Sequence, residues 1–150
     1  MPKKSPVIEN RKAYHSYYIE QKYNAGMVLH GTEVKSIRLG KVNFTDSFCM
    51  LIDGELWVRG MHIAEYVLGT TNNHLAVHDR KLLLNKKELK KIGLALKDNG
   101  LTIIPLKVFF SEEGYAKLEI GMAKGKKLHD KRETSRENEA KREIQRFMKK

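Results

Sequence analysis

At 150 residues the chain has room for one domain with a modest core. Its 29 Lys and Arg against 18 Asp and Glu give a formal net charge of +11, which suits a polyanion such as RNA. The one cysteine, Cys49, excludes an internal disulfide and a CxxC metal site; with no apolar run of eighteen residues and no apolar leader in MPKKSPVIEN, the expected place is the cytoplasm, away from membranes.

In chain order, residues 1–9 are expected to be disordered, with Pro2, Lys3, Lys4 and Pro6. Tyr14 to Leu29, rich in Tyr and Ile, reads as extended structure broken near Asn24-Ala25-Gly26. Gly31 to Gly40 reads as a short helix with Thr32 as N-cap, Val34 and Ile37 inward and Gly40 as its stop. Lys35 and Arg38, three apart, share a second face open to RNA. Ser47–Ile52 and Leu56–Ile63 read as strands joined by Asp53-Gly54, a type I′ hairpin signal because both turn residues need positive φ. Tyr66 to Arg80 shows no period and reads as a long loop, the kind that often carries function in a small domain. Arg80 and Lys81 lead into Leu82, Leu83 and Leu84, read as packing.

Lys86 to Asn99 predicts an amphipathic helix. Leu89, Ile92 and Leu96 face inward, and Lys86, Lys87, Lys90, Lys91 and Lys97 face out. Asn85 caps it with Glu88 completing the box, and Gly100 ends it. Leu101–Phe110 and Tyr115–Ile120 predict two more strands. Ile104, Leu106, Val108 and Phe110 line one face, and Pro105 must sit at an edge or a bulge because it has no N–H to donate. The fold expected is mainly β (α+β), a small antiparallel β-barrel of oligonucleotide-binding type that removes its own edges, with two or three short flanking helices.

From Met122 onward stand eleven Lys and Arg and five Asp and Glu, with few apolar residues. Such a segment cannot bury enough apolar area to offset its ordering entropy. The division expected is a disordered start (1–9), an RNA-binding body (10–121) and a basic tail (122–150), disordered when free. Glu137 and Lys141 form an i,i+4 pair, and Ala140, Ile144, Phe147 and Met148 make a thin apolar stripe, so the tail can turn helical on a partner.

Nothing local points to catalysis or to a cofactor. His74-x-x-x-His78 has a metal-compatible spacing, but no glutamate motif or third ligand accompanies it in sequence. Binding features are stronger. Tyr14, Tyr17 and Tyr18 alternate with Arg11, Lys12 and His15, a mixture that stacks on unpaired bases while neutralising phosphates. The competing reading of these tyrosines is core packing. Two rival functions remain on composition alone: a ribosomal or translation-factor protein of the same barrel class holding ribosomal RNA stably, and an RNA-processing enzyme.

Three segments, GTEVKSIRLGKVNFTDSF (31–48), RKLLLNKKEL (80–89) and GMAKGKKLHDKRE (121–133), resemble the small protein B family, bacterial partners of transfer-messenger RNA. The resemblance runs from about Asn10 to the C-terminus in order and spacing. It implies a barrel body that binds the tRNA-like domain of transfer-messenger RNA, supports its alanylation by alanyl-tRNA synthetase, and travels with it and elongation factor Tu to stalled ribosomes. It also implies a tail that becomes helical in the empty messenger channel near the 30S decoding centre. The body positions of that family map onto Tyr17, Leu83 and Asn85, and with Lys35, Arg38, Arg80, Lys81, Lys124, Lys126 and Lys127 they make the expected RNA-binding set. The tail set is Asp130, Lys131, Arg132, Arg136, Lys141, Arg142, Ile144 and Arg146. The sequence departs from the family pattern at Asn24, where some members are acidic, and at Ala76 and His78, where Pro and Arg are usual.

Overall fold

A computed structural model describes residues 6–68, 73–97 and 100–126, together with 132, 136 and 139–142. The elements are β1 (Ile8–Glu9), α1 (Arg11–Ser16), β2 (Tyr17–Met27), α2 (Gly31–Arg38), β3 (Val42–Asn43), β4 (Phe48–Ile52), β5 (Glu55–Arg59), β6 (His62–Ile63), β7 (Arg80–Leu83), α3 (Lys86–Ala95), β8 (Leu101–Phe110) and β9 (Ala116–Gly125). The architecture is mainly β with a few helices. All pairings are antiparallel, and they run around a ring in the order β8-β4-β5-β7-β2-β9, with β9 returning to β8. The ring is fastened unevenly. The β2–β9 and β8–β9 ladders are long, whereas β2 meets β7 at Gly26 and Met27, and β4 meets β8 at Cys49 opposite Ile103. Among the described residues no helix is long and apolar enough to cross a membrane.

Local chemistry accounts for much of this. Asp53 and Gly54 both take positive φ, 50° and 77°, as a type I′ turn demands, and β4 and β5 pair around them. Asn85 Oδ1 accepts from the Glu88 N–H at 2.8 Å and starts α3 as expected. Ile92 is fully buried on the inner face of α3, and the five lysines expected outside are exposed. The core joins that helix and Ile37 of α2 to Ala25, Leu56, Val58, Leu82, Ile103, Val108, Leu118 and Ile120 from the strands.

Several expectations are corrected. Ile8 and Glu9, expected to be disordered, pair with Val108 and Lys107 of β8. Tyr14 to Ser16, read as extended, lie in α1, and β2 runs unbroken through Asn24-Ala25-Gly26, its irregularity falling between Ile19 and Gln21. The N-cap of α2 is His30, whose N–H donates to Glu33 Oε1 at 3.0 Å, and Thr32 instead meets His74. Helix α3 stops at Ala95. Arg80 to Leu83, read as loop and packing, form β7 between β5 and β2. The last strand runs on to Gly125, so residues 122–125 belong to the barrel rather than the tail.

The strand expected over Leu56–Ile63 ends at Arg59 because Gly60 takes φ +81° with its back against the Asp46 carbonyl. Beyond it the chain leaves the ring, and His62–Ile63 pairs with β3 instead. A Cβ at Gly60 would stand 2.6 Å from the Asp46 oxygen. Gly60→Ala is therefore expected to cost more than about 2 kcal/mol, strain and a forced backbone shift together, read as a lowered midpoint in thermal unfolding.

Pro105 does mark a bulge: the β8–β9 register shifts between Pro105 and Lys107. The extra residue swaps faces. Val108 points to the main core while Ile104 and Leu106 join Ala13 of α1 and Ala123 in a second cluster. The single inward face expected along β8 is thus two faces, one for each core.

Candidate nucleic-acid interface

The expected contact residues fall mainly at the two ends of β2. At its start, Tyr17 stands opposite Gly125, and Lys124 opposite Tyr18. Tyr14 and Tyr18 are exposed; Lys22 Nζ sits 5.4 Å from the Tyr14 ring centre and Lys126 Nζ 4.9 Å from that of Tyr18. Tyr17 is half-buried against the second cluster, and Tyr23 is in the main core. Core packing thus takes Tyr23 and part of Tyr17, while the rings of Tyr14 and Tyr18 face outward. Lys126 closes the corner: its N–H donates to Ser16 O at 2.9 Å and its Nζ to Tyr14 O at 3.0 Å.

Beside this corner lies a groove of about 620 Å³ between α1 and the 42–47 segment. Arg11, Lys12 and Lys126 supply cations against the carboxylates of Glu9 and Asp46, Asn10, Asn43, Thr45 and Ser47 supply polar groups, and Tyr17 supplies a ring. Those are the parts a nucleotide strand needs: charge for phosphate, donors and acceptors for edges, and a flat surface for a base.

At the far end of β2, about 30 Å away at roughly 3.3 Å per residue, Gly26 faces Leu83 of β7. Leu83 is 51% exposed, and a Cβ on Gly26 would stand 3.3 Å from the Leu83 Cβ. The chain then turns through exposed Asn85 into α3, so one short segment presents an apolar side chain, an amide and the lysines of the first helical turn. Asn85 spends its Oδ1 on the cap, which fixes its position on this surface. Lys81 is half-buried and paired with Glu55 at 3.0 Å. Lys35 and Arg38 are exposed on α2, lying over the rings of Tyr66 and Phe110 at 5.4 and 5.7 Å. Among the described residues Lys35, Arg38, Lys86, Lys87, Lys90, Lys91 and Lys124 make no ion pair.

Arg80 is the exception. It is 1% exposed, and its guanidinium points inward. Nε donates to Glu33 Oε2, Nη1 to Met61 O at 2.6 Å, and Nη2 to Ala76 O at 3.1 Å. It therefore has no face for RNA, and its assignment as a contact is corrected: it ties α2, Met61 and Ala76 to β7. Glu33 is fully buried. Burial pushes its carboxyl up, but the His30 N–H, the Arg80 guanidinium and His78 outweigh that and hold it below its ordinary 4.5. A lowered folded-state value means stability present above pH 4.5 and lost as pH falls through the folded value. Acid melting curves should show a fall beginning below about pH 4.5 and a shallower one in Glu33→Gln.

The two histidines of the His74-x-x-x-His78 spacing part company. His74 spans Thr32 Oγ1 at 2.8 Å and Ile63 O at 2.9 Å, buried, while His78 turns to Glu33 and lies beside His30. Sequence spacing missed His30 and Glu33 as neighbours of His78. In the tail, Arg132, Arg136, Lys141 and Arg142 are helical and exposed. Lys127, Asp130, Lys131, Ile144 and Arg146 lie outside the described residues.

Residues 7–150 match the family model described as SmpB protein. The SsrA-binding protein of Bacteroides thetaiotaomicron is 52% identical over 149 residues, 99% of each chain, and that of Bacillus cereus strain ATCC 10987 is 50% identical over 97% of this chain and 95% of its own. A solved structure described as "tmRNA-SmpB: a journey to the center of the bacterial ribosome" superposes with a TM-score of 0.72 at 47% identity, covering 88% of this chain and 96% of that one.

Proposed function

The chain belongs to the SmpB protein family, and from that premise we propose that it is an RNA-binding protein of trans-translation in the bacterial cytoplasm. Its partners are transfer-messenger RNA and the ribosome. The body, a barrel of oligonucleotide-binding type, holds the tRNA-like domain of that RNA, favours its alanylation by alanyl-tRNA synthetase and accompanies it, with elongation factor Tu, to stalled ribosomes. The tail, whose described residues are helical and exposed, enters the empty messenger channel near the decoding centre as a helix.

The observation that carries this reading is the paired surface on β2. A groove carrying Tyr17, Arg11, Lys12 and Lys126 at one end and the Leu83–Asn85 corner with its helix lysines at the other can meet two parts of one folded RNA. Tyr17, Lys124 and Lys126 serve the first surface, with Lys127 following them in sequence; Leu83 and Asn85 serve the second, Leu83 by apolar contact and Asn85 by shaping the strand-to-helix turn. Lys35, Arg38 and Lys81 add charge at the margins. Asn24 belongs to β2 and faces Glu119, within the strand that links the two surfaces.

Binding to the isolated tRNA-like domain, with bulk tRNA as competitor at physiological salt, tests this. Tight binding that survives excess tRNA is expected, with log affinity falling by roughly 0.7–0.9 per phosphate neutralised as log salt rises. Binding lost to tRNA, or indifferent to salt, sinks the proposal and favours a general ribosomal-RNA-binding barrel.

A further inference from the structure

The corner where α2 meets the segment before β7 holds a hydrogen-bond mismatch. His78 Nδ1 lies 2.9 Å from the Asp79 carbonyl, and its Nε2 lies 3.1 Å from Glu33 Oε2. Both oxygens only accept, so both ring nitrogens would have to donate. A neutral imidazole has one N–H. With Nδ1–H given to the carbonyl, the Nε2 and carboxylate lone pairs face each other unless a proton or a metal ion stands between them. His74, a few residues earlier, shows the contrast: the Ile63 carbonyl takes an N–H and the Thr32 hydroxyl donates to the other nitrogen, so a neutral ring satisfies both.

A proton on Nε2 would reconcile two groups. Here there are three. The His30 ring is centred 6.0 Å from that of His78, and one donor atom each from His30, Glu33 and His78 lies within 4.8 Å of the others. We propose that these three side chains bind a divalent transition-metal ion of the zinc class, independently of the RNA-binding reading. Two imidazoles and a carboxylate are a donor set zinc accepts, leaving a fourth position for water.

The surroundings suit ligation. The Asp79 carbonyl can take the Nδ1–H of His78 and leave Nε2 as the ligand atom, the usual outer-shell arrangement for a ligating histidine. Glu33 is oriented by the His30 N–H on one oxygen and the Arg80 guanidinium on the other. Tetrahedral bonds of about 2.0–2.1 Å put donors roughly 3.4 Å apart, so a set spread over as much as 4.8 Å must draw in; the exposed His30 ring can supply that movement. Arg80 adds a positive charge beside the ion, so affinity should fall below that of a thiolate site. Binding displaces any Nε2 proton to solvent and staples His78, just before β7, to the start of α2.

Titrating the full chain, stripped with a chelator, with Co2+ and then competing with Zn2+ tests the site. One saturable equivalent with visible ligand-field absorption is expected, bleached by Zn2+. His30→Gln and His78→Gln should each weaken Co2+ binding by at least about tenfold, while His62→Gln, at an exposed position outside the trio, should not. His30→Gln decides the matter should His78→Gln unfold, because the His30 side chain is exposed. Absence of a saturable band, or a band unchanged in His30→Gln, overturns the proposal.

Discussion

Arg80→Ala should cost the fold about 3–5 kcal/mol, the range for removing one partner of a buried ion pair. The loss comes from three sources. Glu33 keeps its charge in the interior without its nearest cation; the carbonyls of Met61 and Ala76 lose their donor; and the space of the guanidinium is left behind. The pair bridges 47 positions of sequence, so its loss uncouples α2 from β7 rather than fraying one end. Urea unfolding reads the effect directly. The double variant Glu33→Gln/Arg80→Met should recover part of the loss, because it removes the orphaned charge along with its partner. Under conditions where Arg80→Ala is still folded, the salt slope of RNA binding should match that of the parent chain, since Arg80 reaches no phosphate. A slope reduced by about one unit would return Arg80 to the contact set.

Removing residues 131–150 should abolish ribosome rescue while changing affinity for the isolated tRNA-like domain by less than about tenfold, a shift of 1.4 kcal/mol at most. The reasoning is spatial. The groove and the Leu83–Asn85 corner are built from residues 8–126, and β9 ends in the barrel wall at Gly125. The described tail residues, by contrast, are exposed. Rescue in a reconstituted translation system, beside binding measured on the same truncated protein, separates the two activities. Lost RNA binding with intact rescue would reverse the assigned division of labour.

What could be read from the sequence was whatever a few neighbouring residues decide. Asp53-Gly54 sets its own turn, Asn85 and Glu88 set their own cap, and Pro105 excludes a regular ladder wherever it falls. What could not be read depends on partners distant in the chain. Arg80 looks like a surface cation beside Lys81 until Glu33 is brought against it. Strand β7 has too short a pattern to declare itself, and it exists because β5 and β2 supply ladders on both sides. The bulge at β8 was anticipated, but not that its extra residue would send Leu106 into a second core. At the interface, Leu83 and Asn85 were found by resemblance. The groove was not, because α1, the 42–47 segment and Lys126 come together only in the folded chain.

The thin contact between β4 and β8 carries one more consequence. A hoop gapes first at its thinnest rivet, since local opening follows the fewest bonds to be broken. The rivet is Cys49 opposite Ile103, and burial pushes the Cys49 thiol well up. While the hoop is shut its sulfur is sealed away from solvent and uncharged. The lone thiol of this protein therefore behaves less like a surface group than like a seal across a seam, and whatever attacks it must wait for the wall to breathe.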